Sequence, residues 1–129
     1  MQSTDGMLVP PVSRYMTHNP YSIGSSELLS DAHALMQAHR IHHLLVVDDD
    51  LLVGILSGDD VARGVSGDRI SDAMTRDVAS VSSGARLDEV ISLMDAGRFG
   101  SVVIRSEHGV EGIFTLSDAL RAFAEMLAG

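Results

Sequence analysis

Two short segments hold the residue types from which a ligand site can be built. They are Gly54-Ile55-Leu56-Ser57-Gly58-Asp59-Asp60 and Gly112-Ile113-Phe114-Thr115-Leu116-Ser117-Asp118. Each runs Gly, Ile, any residue, Ser or Thr, two residues, Asp. Glycine lets another backbone or a ligand come close. A hydroxyl where a strand stops and a helix starts sits beside free N–H groups that favour an anion. A carboxylate three residues further on accepts two hydrogen bonds, which suits the vicinal diol of a ribose. Ser, Thr and Asp are also the preferred helix caps, so one copy alone reads as a cap. The same pattern twice, with Gly three residues before the hydroxyl and Asp three after, reads as a ligand motif.

Other groupings carry less chemistry. His39, His42 and His43 invite a metal, but His39 falls near a helix end while His42 and His43 point oppositely as a strand begins. No metal site is expected there. The histidines are packed or solvent-facing, or one of them touches a phosphate or adenine. Asp48-Asp49-Asp50 reads as a hairpin turn, because no further carboxylates follow at calcium-loop spacing. No Ser-His-Asp set has a nucleophile elbow around it, so no catalytic residue is assigned and no enzyme is expected.

The elements that position the two motifs are written twice. Offset by 58 residues, Met16-Thr17 falls on Met74-Thr75 and Leu35-Met36 on Leu93-Met94. At the same offset Gly54-Ile55 falls on Gly112-Ile113, and Asp60-Val61-Ala62-Arg63 on Asp118-Ala119-Leu120-Arg121. A duplication that keeps register without a gap means two copies of one structural unit. In the first copy, Thr17 to Pro20 is turn chemistry and Tyr21 to Ile23 a short strand. Ser25-Ser26 caps a helix running to about Arg40, with Leu28, Leu29, Ala32, Leu35 and Met36 on its apolar face. Leu44 to Val47 and Leu52 to Leu56 make a hairpin, and Ser57 opens a second helix ending near Gly64. The second copy repeats this order: a strand at 78–81, a helix at 87–96, a hairpin around Glu107-His108-Gly109, and a last helix from Ser117. The chain divides into an arm (1–11), whose Met7-Leu8-Val9 could pack on the body, a first repeat (12–66) and a second (67–129). A three-stranded sheet with helices on one face leaves its other apolar face bare, so the two repeats are expected to pack together.

Composition narrows the partners. The chain has 129 residues and a net charge of −9, with no Lys and nine Arg placed singly. Nucleic acid needs a basic face and is excluded, and no polybasic stripe meets a membrane surface. Cys is absent, which removes disulfides, thiolate nucleophiles and Cys-based zinc. No apolar run approaches the ~20 residues of a membrane span, and a cytoplasmic protein is expected.

With these features the chain resembles a tandem pair of cystathionine-β-synthase (CBS) domains, a Bateman module, over about residues 12–125. The resemblance rests on the two Met-Thr openings, the Leu-Met on each helix, the segment from His39 to Asp48, and the two Gly-Ile-x-Ser/Thr-x-x-Asp endings. It implies a mixed α+β fold of two β-α-β-β-α repeats packed by pseudo-two-fold symmetry. It also implies a regulatory module with no obligatory cofactor, which binds an adenine nucleotide (AMP, ADP or ATP), or sometimes S-adenosylmethionine, in clefts between the repeats. By the resemblance, Asp60 and Asp118 hold ribose, and Ser57, Thr115 and Ser117 face the phosphate. Thr17, Ser22, Ile41 and His42 bracket the adenine of the cleft that uses Asp118, and Thr75, Ser80, Phe99 and Gly100 do so for the cleft that uses Asp60.

Departures from the family pattern rank the clefts. No basic residue follows Ser57 or Thr115 directly, which favours AMP over ATP. Asp59 stands where the second copy has Ser117, and a like charge beside a phosphate costs on the order of one to a few kcal/mol. The Asp118 cleft is therefore the better one. The helix faces Leu28, Leu35, Met36 and Leu116, Leu120, Phe123, Leu127 are expected to serve as core and as the seam of a homodimer. A separate effector protein is the expected target of regulation. The rival reading is a protein-interaction scaffold with vestigial clefts.

Overall fold

The computed structural model describes residues 8–65 and 67–129. The arm's residues 1–7, with the packing expected of Met7, and linker residue Ser66 lie outside the described residues. The fold is mixed α+β, with two separate sheets and five α-helices among those residues. It forms two compact units. The central unit is Pro20–Val78, and the terminal unit joins the chain up to Asn19 with Ala79–Gly129.

In the central unit, β2 (Ser22–Ile23) runs parallel to β3 (His43–Asp48), and β3 forms a hairpin with β4 (Leu51–Ser57). The terminal unit uses β1 (Thr17–His18) as an added edge strand. Its sheet runs β1, then β7 (Gly109–Thr115), β6 (Ser101–Ser106) and β5 (Ser80–Ser82). In the central unit α1 (Leu29–His39) links β2 to β3, while α2 (Gly58–Arg63) and α3 (Ile70–Ala73) follow the hairpin. Helix α4 (Leu87–Gly97) links β5 to β6, and α5 (Leu116–Ala128) closes the terminal unit. Among the described residues no helix is long and apolar enough to cross a membrane.

The units cut across the repeats because the opening segments are exchanged. Pro10 to Ser13 lies along the start of the second repeat: Val12 N–H donates to the Ala85 carbonyl at 2.8 Å, and Leu87 N–H to that of Pro10 at 3.0 Å. Asp68 to Ser71 does the same along the start of the first repeat: Leu29 N–H donates to the Asp68 carbonyl and Ile70 N–H to that of Glu27, both at 2.8 Å. Thr17, read as turn chemistry, is a strand residue paired with Ile113. Thr75 pairs with Ile55 through reciprocal bonds of 2.8 and 2.9 Å.

Each unit buries its own core. Phe114, Val102, Ile104, Val90, Leu87 and Val12 centre the terminal one. Leu29, Leu44, Val46, Leu56 and Ile70 centre the other. Ser25 does not cap α1, whose N-cap is Leu28 without a side-chain bond. Its hydroxyl and N–H instead donate to Asp48, which holds that carboxyl below the ordinary Asp range. The stripe Leu116, Leu120, Phe123, Leu127 is not core: each is 58% exposed or more, and α5 turns Ala122 and Asp118 inward.

The Asp48-Asp49-Asp50 turn is confirmed, with Asp49 and Asp50 both at positive φ (50° and 65°) between the paired Asp48 and Leu51. A two-residue hairpin loop with both φ positive prefers Asn-Gly. Replacing Asp49-Asp50 by Asn-Gly is expected to raise stability by about 0.5–1 kcal/mol, read from the urea midpoint. An unchanged or lower midpoint would mean the turn is not conformationally strained.

Candidate functional site

Both motifs close a helix N-terminus in the same way. Thr115 is the N-cap of α5: its hydroxyl accepts from Asp118 N–H at 3.3 Å, while the Asp118 carboxylate accepts from Thr115 N–H at 3.0 Å. Ser57 and Asp60 repeat this at α2, at 3.1 and 2.9 Å. The carboxylate three residues after the hydroxyl is therefore the second half of a capping box. Sequence reasoning held that capping does not call for this Asp, and the structure shows that it does.

The glycine has a local role too. A Cβ on Gly112 would lie 2.6 Å from the Thr17 carbonyl oxygen and 2.7 Å from Met16 Sδ. On Gly54 it would meet Met74 Sδ at 2.8 Å and the Thr75 oxygen at 2.9 Å. The Met-Thr and Gly-Ile motifs recur together because each Met-Thr crosses directly over a glycine of the strand it pairs with.

The two carboxylates are buried, Asp118 at 3% and Asp60 at 6% exposure. Each holds an arginine three residues on: Arg121 and Arg63 both donate at 2.7 Å from guanidinium groups 61% and 71% exposed. Sequence reasoning missed these arginines, although the repeat alignment had already matched Arg63 to Arg121. Asp118 has one more partner. Thr17 Oγ1 lies 3.3 Å from both of its oxygens, whereas among the described residues no hydrogen bond joins Thr75 to Asp60. The terminal unit thus gathers Thr17, Thr115, Asp118 and Arg121 around one buried carboxylate, with Ser117 exposed one residue before it. Arg121 also donates to the Tyr15 carbonyl at 3.3 Å, tying the cluster to the segment before β1.

The other expected site residues divide by unit. Ile41 and His42 belong to the central unit and line a groove of about 600 Å³ with His33, Arg40, Ser57 and Asp59. The His42 carbonyl accepts from Gly58 N–H at 2.8 Å, which sets it beside Ser57. Phe99 and Gly100 line the matching groove of the terminal unit, about 670 Å³, with Ile91, Arg98 and Leu116. Ser22 and Ser80 are exposed on β2 and β5. His39 stacks on Tyr21 with ring centres 4.0 Å apart. Among the described residues no three His, Asp or Glu are grouped to hold a metal.

A family model described as CBS domain matches the chain twice, over residues 12–67 and 70–125. The chain is 33% identical over 119 residues to inosine-5′-monophosphate dehydrogenase of Nitrosopumilus maritimus, covering 91% of this chain and 25% of that one. It spans a quarter or less of the curated relatives it matches first. An uncharacterized conserved protein from Pyrococcus horikoshii superposes with a TM-score of 0.81 at 30% identity, over 88% of this chain and 92% of that one. A CBS domain pair solved in complex with 5′-methylthioadenosine and S-adenosyl-L-methionine superposes at 0.84 and 26%, over 92% and 99%.

Proposed function

Because the chain belongs to the CBS domain family and carries that domain in tandem, we propose that it is a regulatory module whose ligand is an adenine nucleotide. AMP is the first candidate, Asp118 is the ribose-holding carboxylate, and the output acts on a separate partner protein. The single observation that carries this reading is the donor set on Asp118. Its two Thr17 contacts, at 3.3 Å each, are long for O–H···O bonds and come from an exposed residue. A ribose diol offers two stronger O–H donors to the same oxygens. Arg121, largely exposed, can then swing from Asp118 to one phosphate without leaving that carboxylate unpaired. The related domain pair with bound methylthioadenosine and S-adenosylmethionine supports a ligand of the adenosine class. Only one arginine stands at each motif, so the reading favours one phosphate over three. Asp60, with exposed Asp59 one residue before it and no threonine on its carboxylate, takes the nucleotide less well. The module works as a homodimer.

A second reading has its own support: both carboxylates are already satisfied by a cap and an arginine. In that case the chain is an interaction scaffold without a nucleotide. Thermal unfolding against AMP, ADP, ATP and S-adenosylmethionine separates the two. A binder present at 100 times its Kd adds about 2.7 kcal/mol and raises the midpoint in proportion. AMP is expected to raise it most, and a flat response across the panel overturns the sensor reading in favour of the scaffold.

A further inference from the structure

The duplication is closely matched inside and broken on one outer face. Leu116, Leu120, Phe123 and Leu127 follow one another at four, three and four residues along α5, and they are 58%, 70%, 59% and 72% exposed. That spacing makes a continuous seam of the kind that packs against another helix. Met126 and Ile91, 45% and 38% exposed, border it. At the matching positions of the first repeat stand Gly58, Ala62, Val65 and Arg69, with Asp68 and His33 for the bordering pair. Only the terminal unit has the seam.

The two grooves diverge with it. In the terminal unit the groove is walled by Ile91, Met94, Phe99, Leu116 and Ala119. Its central counterpart presents His33, Arg40, His42 and Asp59. The charges of α5 are also accounted for within the chain: Arg121 pairs with Asp118, and Glu125 accepts from Tyr15 Oη at 3.3 Å. Nothing charged on that helix is left to be desolvated.

From this asymmetry we infer that the occupant of the seam is a second copy of this chain, docked terminal unit to terminal unit about a two-fold axis. The inference rests on the homodimer reading above and adds which surfaces meet. Seam and groove share Leu116 and lie on one unit, so a two-fold operation presents each to the other, as an isologous contact requires. At roughly 200 Å² per large side chain, the exposed apolar residues present on the order of 700 Å². That is close to the ~800 Å² each partner buries in a standard interface. Docking the seam on a central unit would instead set leucines against His33, Arg40 and Asp59, stripping charged groups of water without pairing them.

Sedimentation velocity on the full chain should give twice the 13.7 kDa mass. Leu120→Asp with Phe123→Asp should weaken the dimer at least ~30-fold, the loss of one interface hot spot, with far-UV circular dichroism unchanged. The chain has no Cys, so Phe123→Cys alone should cross-link copy to copy on oxidation, and Ala62→Cys should not. A monomeric parent overturns both the homodimer reading and this inference. A dimer that survives the double substitution, or that cross-links through Ala62→Cys and not Phe123→Cys, overturns this inference and leaves the homodimer standing.

Discussion

Asp118→Ala should lower the free energy of unfolding by about 2–4 kcal/mol, a drop of roughly 10 °C in midpoint. The substitution removes the acceptor for Thr115 N–H, for the Thr17 and Thr115 hydroxyls and for Arg121. Thr115 is itself 8% exposed, so its N–H loses a partner where water does not easily replace it. The ion pair adds little, since Arg121 is mostly in solvent and regains water. Asp60→Ala removes a smaller set, a cap and an arginine without a threonine, and should cost about 1–2 kcal/mol. Urea unfolding of both variants checks the order. Equal losses would show that the Thr17 contact contributes nothing to stability.

Gly112→Ala should cost about 1–3 kcal/mol, because the added methyl meets the Thr17 carbonyl oxygen, which is backbone, and a buried methionine. Only shifting β1 off β7 relieves the first contact, and that breaks the pairing of Thr17 with Ile113 and His18 with Gly112. Gly54→Ala should follow with a smaller loss, its backbone contact being 2.9 Å against 2.6 Å. Gly84→Ala, where a Cβ meets nothing within 4 Å, is the control and should stay within about 0.5 kcal/mol. If Gly112→Ala behaves like the control, the close crossing is not what fixes glycine there.

The repeat, the order of strands and helices and both hairpins were legible in the sequence, because apolar periodicity and an ungapped offset are local signals. The exchange of opening segments was not. Nothing in Met16-Thr17 says which strand it will pair with, and a two-residue edge strand has no period to read. Helix α3, four residues around the fully buried Ile70, is likewise too short to show one. Leu120, Phe123 and Leu127 read as partly core because hydropathy marks apolar residues and not their neighbours. Burial of Ala122 and Asp118 turned that face outward. At the site, the hydroxyl and carboxylate were found from spacing alone. Their mutual capping was hidden because one residue pattern serves both a cap and a diol.

Calorimetric titration of AMP and 2′-deoxy-AMP into the parent and Asp118→Asn chains tests most directly whether this carboxylate holds a ribose. Asparagine keeps an acceptor for the cap and removes the charge. The account predicts that the parent binds AMP at least ~10-fold more tightly than the deoxy form, about 1.4 kcal/mol, and that Asp118→Asn binds the two alike and weakly. A variant that binds AMP as tightly as the parent, with the same preference over 2′-deoxy-AMP, would contradict it.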